Sequence, residues 1–302
     1  MTDVNTSASR VRRSATEPSR DSEPRAGGAR EFEFEDRDFR RICDLIHARV
    51  GIALADGKRD MVYGRLSRRL RVLGLRSFRD YLDRLEHGAD SEEWQLFTNA
   101  LTTNLTAFFR EPHHFETLRQ DLERRADDGP LKLWSCAAST GEEPYSIAIT
   151  ACEAYGTLAP PVRIVASDVD TQVLATAERG VYPLERIAGL DDALKRRYFQ
   201  RGSGSNEGYC RVHPALRQLI DFRPLNLLSP RYDVGGPFAG VFCRNVMIYF
   251  DKPTQRGILT RLVPHLADDG MLYTGHSENY LHAADIITPC GRTLYRRTGP
   301  RA

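Results

Sequence analysis

From about residue 130 the chain alternates short apolar strands with helical stretches, and nothing else in it narrows the choice of fold so far. LKLWS (131–135) runs into a helix ending near Tyr155, and VRIVAS (162–167) into another from Asp170 to Arg179. LIDF (219–222), GVFCRNVMIYF (240–250), a helix from Asp251 to Leu266 and GMLYTG (270–275) continue the series, and TLYRR (293–297) reads as an edge strand. Such alternation specifies a mostly parallel sheet with helices on both faces, an α/β domain. Residues 195–215 interrupt it: Gly202, Gly204 and Gly208 within a short span predict an inserted hairpin or small β-subdomain.

Residues 32–103 have a different rhythm. Phe39, Ile42, Leu45 and Ile46 fit one helix ending near Gly51, and Lys58 to Leu73 a second ending at Gly74. Ser77 caps a third, with Gly88 as its stop, and Trp94, Phe97 and Leu101 mark a fourth. The expected organisation is a leader over 1–31, a small all-helical domain over 32–103, and the α/β domain over 104–302. The leader is rich in Ser, Arg, Gly, Ala and Pro and nearly lacks aliphatic residues, the composition of a disordered segment.

Hydrophobic residues make up 41% and charged residues 28%, enough apolar material for a sizeable core. No apolar run approaches the ~20 residues a membrane span needs, and no secretory signal is visible. The six Cys form no C-x-x-C pair and several fall inside apolar patterns. Neither a disulfide framework nor a metal site is expected, and a reduced cytoplasm is the natural compartment. The net charge of +2 is unevenly spread: residues 36–84 hold 13 basic and 7 acidic side chains, whereas 85–302 hold 24 and 27. A local anionic partner is implied.

The turn CAASTG (136–141) follows the first strand, where ligands of such sheets bind. Its side chains are small, yet G-x-G-x-x-G is absent, and Glu142 and Glu143 open the next helix. Two acids there would repel a pyrophosphate, or they simply favour the helix N-terminus. Asp168 closes the second strand, 27 positions past Gly141. It is placed to accept from ribose hydroxyls, while Asp170 reads as the N-cap of the following helix. Acids without a phosphate cradle suit S-adenosylmethionine, which has a cationic sulfonium and no phosphate. Arg244 and Asn245 interrupt an apolar stretch, where unpartnered burial would cost several kcal/mol.

The segments LTTNLTAFFREPHHF (101–115), WSCAASTGEEPYSIAI (134–149), ASDVD (166–170), FRPLNLL (222–228), FCRNVMIYFD (242–251) and GHSENY (275–280) resemble those of the CheR family of chemotaxis-receptor methyltransferases. The likeness runs in order from about residue 33 to 298. It implies a helical N-terminal domain and a Rossmann-like methyltransferase domain carrying a small β-subdomain. S-adenosylmethionine would be the methyl donor and S-adenosylhomocysteine its product. The acceptor would be a glutamate side chain of a chemoreceptor, at which cytoplasmic enzyme is recruited to membrane receptor arrays.

By matching positions, the resemblance implies cofactor contacts from Asn104, Thr106, Arg110, Glu143 and Asp168. Asn226, Leu227, Arg244 and Asn245 complete that set. Of the two adjacent acids it favours Glu143, which spacing could not choose. Arg110 and Tyr249 would lie nearest the departing methyl group. Lys58, Arg65, Arg68 and Arg69 share one face of the second helix and would dock an acidic receptor helix, unless they are merely solvated. The glycine-rich hairpin with Gly202, Gly204 and Gly208 would grip a receptor C-terminal peptide by strand addition. Two rivals stand beside this reading. One is a methyltransferase acting on RNA or a small molecule, although no aromatic-interleaved basic stretch supports nucleic acid. The other is a non-catalytic S-adenosylmethionine-binding signalling adaptor.

Overall fold

The computed structural model describes residues 30–88 and 91–299. The disordered leader expected over 1–31 therefore lies outside the described residues except for its last two. Those two are already anchored: Arg30 pairs with Asp60 at 2.6 Å and Glu31 with Arg71 at 2.7 Å.

Four helices form the N-terminal domain: α1 (Asp36–Val50), α2 (Arg59–Leu73), α3 (Phe78–His87) and α4 (Ser91–Leu101). Gly51 and Gly74, both left-handed, end α1 and α2, and Ser77 caps α3 through the Asp80 N–H. Lys58 belongs to a 3-10 turn ahead of α2. The inward faces meet in a core that includes Ile42, Ile46, Leu66, Phe78 and Tyr81.

The second domain follows through α5 (His113–Arg124), which the sequence reading did not anticipate. Then come β1 (Leu131–Ser135), α6 (Glu142–Tyr155), β2 (Val162–Asp168), α7 (Thr171–Arg179) and β3 (Val181–Pro183). Next are α8 (Asp192–Tyr198), β4 (Phe199–Arg201), β5 (Tyr209–Val212), α9 (Pro214–Gln218) and β6 (Ile220–Pro224). The chain closes with β7 (Phe238–Cys243), α10 (Lys252–Leu262), β8 (Leu266–Thr274), β9 (Ile287–Gly291) and β10 (Leu294–Arg297). The main sheet has the order β6-β2-β1-β7-β8-β10-β9, parallel from β6 to β8 and antiparallel beyond. Side chains alternate between its two cores: Leu133, Ile164 and Phe242 pack toward α5 and α6, and Trp134, Val241 and Leu272 toward α10.

Three expectations need correction. The stretch 240–250 is not one strand: β7 stops at Cys243, and Met247–Tyr249 is a 3-10 turn. Its break falls at Arg244, whose side chain is buried and, as its place in an apolar stretch requires, partnered. TLYRR is not the edge, because β9 pairs outside β10. The β-subdomain is larger than 195–215: β3, from Val181, joins β4 and β5 in a separate three-stranded sheet. Its glycines serve the hairpin. A Cβ on Gly202 would fall 2.1 Å from the Asn206 carbonyl oxygen, and Gly204 and Gly208 have φ of 59° and 87°.

The two domains are stitched together. The Ala53 N–H donates to the Tyr249 carbonyl at 2.9 Å, Asn226 Nδ2 to the Arg49 carbonyl at 2.9 Å, and Gln95 Nε2 to the Val169 carbonyl at 2.8 Å.

Candidate functional site

Strand order reverses between β1 and β7, and at their carboxyl ends a cleft of about 1250 Å³, its mouth included, opens. The helical domain closes the far side with Val50, Ile52, Leu54 and Met61. This wall escaped the sequence reading, since Ile52–Leu54 lies beyond the cap of α1 with no period to give it away.

The β1–α6 turn, residues 136–141, spends four of its six backbone donors inside the fold. The N–H groups of Cys136, Ala138 and Gly141 donate to the carbonyls of Phe242, Ser167 and Ala138 at 3.0, 2.9 and 3.0 Å. The Ser139 N–H donates to Asp168 Oδ2 at 2.8 Å. A phosphate cradle needs such groups turned toward the ligand. Gly141 serves packing instead: its φ is 100°, and a Cβ there would sit 2.7 Å from the Ala177 Cβ.

Asp168 ends β2 beside this turn. Its Oδ1 accepts the Asp170 N–H at 2.9 Å, so each oxygen holds one backbone donor and retains a lone pair. Burial pushes its pKa up to about 6 against those two donors. Asp170 caps α7 through Oδ1, and its Oδ2 accepts from Thr102 Oγ1 at 2.7 Å and Asn104 Nδ2 at 2.9 Å. The adjacent acids of α6 diverge. Glu142 turns to Thr140 Oγ1 at 2.6 Å and Arg186 Nη2 at 2.5 Å. Glu143 lines the cleft, accepting from Ser135 Oγ at 2.7 Å and Arg244 Nη1 at 2.8 Å. Burial pushes the Glu143 carboxyl upward, against the pull of Arg244 and Ser135.

Arg244 leaves the end of β7 with a side chain only 1% exposed. Besides Glu143 it reaches the Arg110 carbonyl, to which Nη2 donates, and Glu111 Oε2 at 3.4 Å. Arg110 itself is half-buried at the cleft, and its Nη1 donates to the Leu105 carbonyl at 2.9 Å. Tyr249 closes the 3-10 turn opposite.

The structure brings Asn104, Thr106, Arg110, Glu143 and Asp168 to this one cleft, together with Asn226, Leu227, Arg244, Asn245 and Tyr249. Asn226 arrives with both ends of its amide in use, since its Oδ1 accepts the Leu228 N–H at 2.9 Å while its Nδ2 holds α1. The basic face of α2 is not a uniform solvated stripe. Arg65 Nη1 donates to the carbonyls of Ala100 and Thr102 at 3.2 and 2.5 Å and so caps α4. Arg69 pairs at 2.5 Å with Glu93, which is buried and accepts the Tyr81 hydroxyl at 2.9 Å. Arg68 is exposed, and Lys58, also exposed, reaches the cleft. Gly202, Gly204 and Gly208 lie in the hairpin, apart from the residues that line the cleft.

Apolar walls, a strand-end carboxylate with lone pairs to spare, a second buried carboxylate and a turn that spends four of its six backbone donors inside the fold suit a nucleoside with hydroxyls and positive charge and no phosphate. Comparison with known proteins agrees. Residues 104–295 match the model of the CheR methyltransferase SAM binding domain, and residues 37–102 that of the CheR methyltransferase all-alpha domain. Chemotaxis protein methyltransferase 2 of Pseudomonas aeruginosa is 52% identical over 272 residues, covering 89% of this chain and 95% of that protein. The chemotaxis protein methyltransferase of Escherichia coli is 54% identical over 260 residues, 86% and 90% of the two chains. That of Salmonella typhimurium is 52% identical over 267 residues, 88% and 92%. The cofactor is S-adenosylmethionine, and the donor set of the cleft fits it. With both of its domains matched in order and more than half of the aligned residues identical to each of three such enzymes, the chain belongs to the CheR family of chemotaxis methyltransferases.

Proposed function

We propose that this methyltransferase esterifies glutamate side chains on the cytoplasmic part of chemoreceptors, and that Arg110 and Tyr249 sit nearest the reacting atoms. When bound, S-adenosylmethionine supplies a methyl group made electrophilic by its sulfonium. A glutamate acceptor, with a pKa near ~4.3, is already ionised at neutral pH and needs no general base. The single observation that carries the reading is that the cleft gathers Arg110, a cation able to hold an anionic acceptor, and Tyr249, a hydroxyl able to steer it. What the lining offers is placement. Arg110 would hold an incoming carboxylate, its guanidinium steadied by the Leu105 carbonyl. Tyr249 would steer the acceptor by its hydroxyl, its backbone fixed by Ala53.

Asp168 would accept from the ribose hydroxyls, and Glu143 would face the cationic end. Asn104, Thr106, Asn226, Leu227 and Asn245 would shape the remainder. Arg68 and Lys58 support docking of an acidic receptor helix close to the cleft mouth. The exposed edges of the three-stranded sheet suit strand addition by a receptor C-terminal peptide, which would hold the enzyme at receptor arrays.

The test uses a receptor cytoplasmic fragment, labelled methyl donor, and a fragment whose candidate glutamates are changed to alanine. Label is expected only on the unaltered fragment. Arg110→Ala is expected to lower kcat at least about tenfold with an unchanged unfolding midpoint. Equal labelling of the two fragments would remove glutamate as the acceptor, and unchanged turnover would remove Arg110 from the reaction.

A further inference from the structure

Arg110 stands between two left-handed residues, neither of them glycine: Phe109 has φ 52° and Glu111 φ 59°. Positive φ is uncommon for bulky side chains and costs of order 1 kcal/mol or more, so such a turn persists only where its surroundings hold it. On the Phe109 side the holders are apolar and local. Its ring meets Phe115 edge-on at 5.1 Å, and its N–H donates to Ser146 Oγ at 2.9 Å.

On the other side the holder is the Glu111 carboxylate, only 7% exposed. Its Oε1 accepts Asn245 Nδ2 at 3.2 Å and the His276 N–H at 3.4 Å. Its Oε2 lies 3.4 Å from Arg244 Nη2 and 3.6 Å from His114 Nδ1. Burial and the nearby Arg244 push the His114 pKa down to about 2, so this imidazole is neutral and Arg244 is the close countercharge. Burial pushes the Glu111 carboxyl up, but Arg244, Asn245 and His276 outweigh it and keep the group below the usual range, ionised. Asn245, itself left-handed at φ 55°, is thus held from behind by the residue next to Arg110. Arg244 donates to the Arg110 carbonyl and closes the ring.

We propose that Glu111 is a positioning residue for methyl transfer, clamping Arg244, Asn245 and the His276 backbone so that the strained turn presents Arg110 to the cleft. Glycine would suit the backbone better, and only a long carboxylate reaches all three partners. The inference rests on the roles of Arg110 and Asn245 given above. Glu111→Gln retains the shape and can keep the Oε1 acceptor for Asn245 and His276, but removes the negative charge that faces Arg244.

The test measures kcat, KM for a receptor fragment, S-adenosylhomocysteine stoichiometry and unfolding midpoint for wild type, Glu111→Gln, Glu111→Asp and Arg110→Ala. Per binding-competent molecule, kcat of Glu111→Gln is expected to fall about 10- to 100-fold with KM for receptor within about twofold. Glu111→Asp, which keeps the charge, should recover part of that loss. An unchanged kcat in Glu111→Gln, beside an inactive Arg110→Ala, overturns this inference alone. Full activity in Arg110→Ala overturns the reading of the site and this inference with it. Should Glu111→Gln not fold, Glu111→Asp decides: a several-fold lower kcat at a wild-type midpoint supports the clamp, and wild-type kcat overturns it.

Discussion

The proposed role of Asp168 as acceptor for the ribose hydroxyls predicts that cofactor affinity depends on pH. The folded pKa of Asp168, about 6, lies above the ordinary 3.8, so the fold penalises the ionised form. For the free protein this cost is absent below the ordinary value, grows as pH rises toward 6, and is constant above. Hydroxyl donors favour the ionised form, so binding below pH 6 must release a proton. S-adenosylhomocysteine should bind about tenfold more weakly at pH 5 than at pH 7, and Asp168→Asn should flatten that dependence. Calorimetry in buffers of differing ionisation enthalpy reads both. Arg244 answers for two buried carboxylates, Glu143 and Glu111. Arg244→Ala should therefore cost about 3–5 kcal/mol in urea unfolding, because it strands buried charge. Single residues also mark what sequence could tell. Asp170 was legible as a cap because the next residues begin a helical period, whereas the choice of Glu143 over Glu142 depends on Arg186 and Arg244, both far off in the chain.

At the scale of elements, α2 separates two kinds of arginine that look alike in sequence. Arg69→Glu should destabilise the helical domain, since it sets a second acid against buried Glu93. Arg68→Glu should leave the unfolding midpoint within about 2 °C while raising KM for receptor in a salt-dependent way. Thermal unfolding and methylation kinetics on the two variants separate them. The β1–α6 turn makes the same point about glycine. Gly141→Ala would combine a φ of 100° with a contact at 2.7 Å, and should lose at least about 1–3 kcal/mol of stability. Element periods were readable wherever an apolar stripe was regular, as in α1 to α3, β1 and β2. They failed where tertiary contacts decide. VMIYF reads as strand, yet Met247–Tyr249 coils because Glu278 accepts the Val246 and Met247 N–H groups at 3.0 and 2.9 Å.

For the whole molecule, the helical domain is a wall of the cleft as well as a neighbour of it. The ties from Arg49, Ala53 and Gln95 place Ile52 and Leu54 opposite the strand ends, so neither domain alone encloses the cofactor site. Family resemblance could name the cleft residues because their motifs are long and local. The closing wall, a long-range product of packing, left no such trace. The central claim is that an ionised carboxylate, placed rather than activated, receives the methyl group. Its most direct measurement is the alkaline stability of the label transferred to a receptor fragment. The account predicts release as methanol in mild base, as a methyl ester requires. Label that survives base on the protein would contradict it.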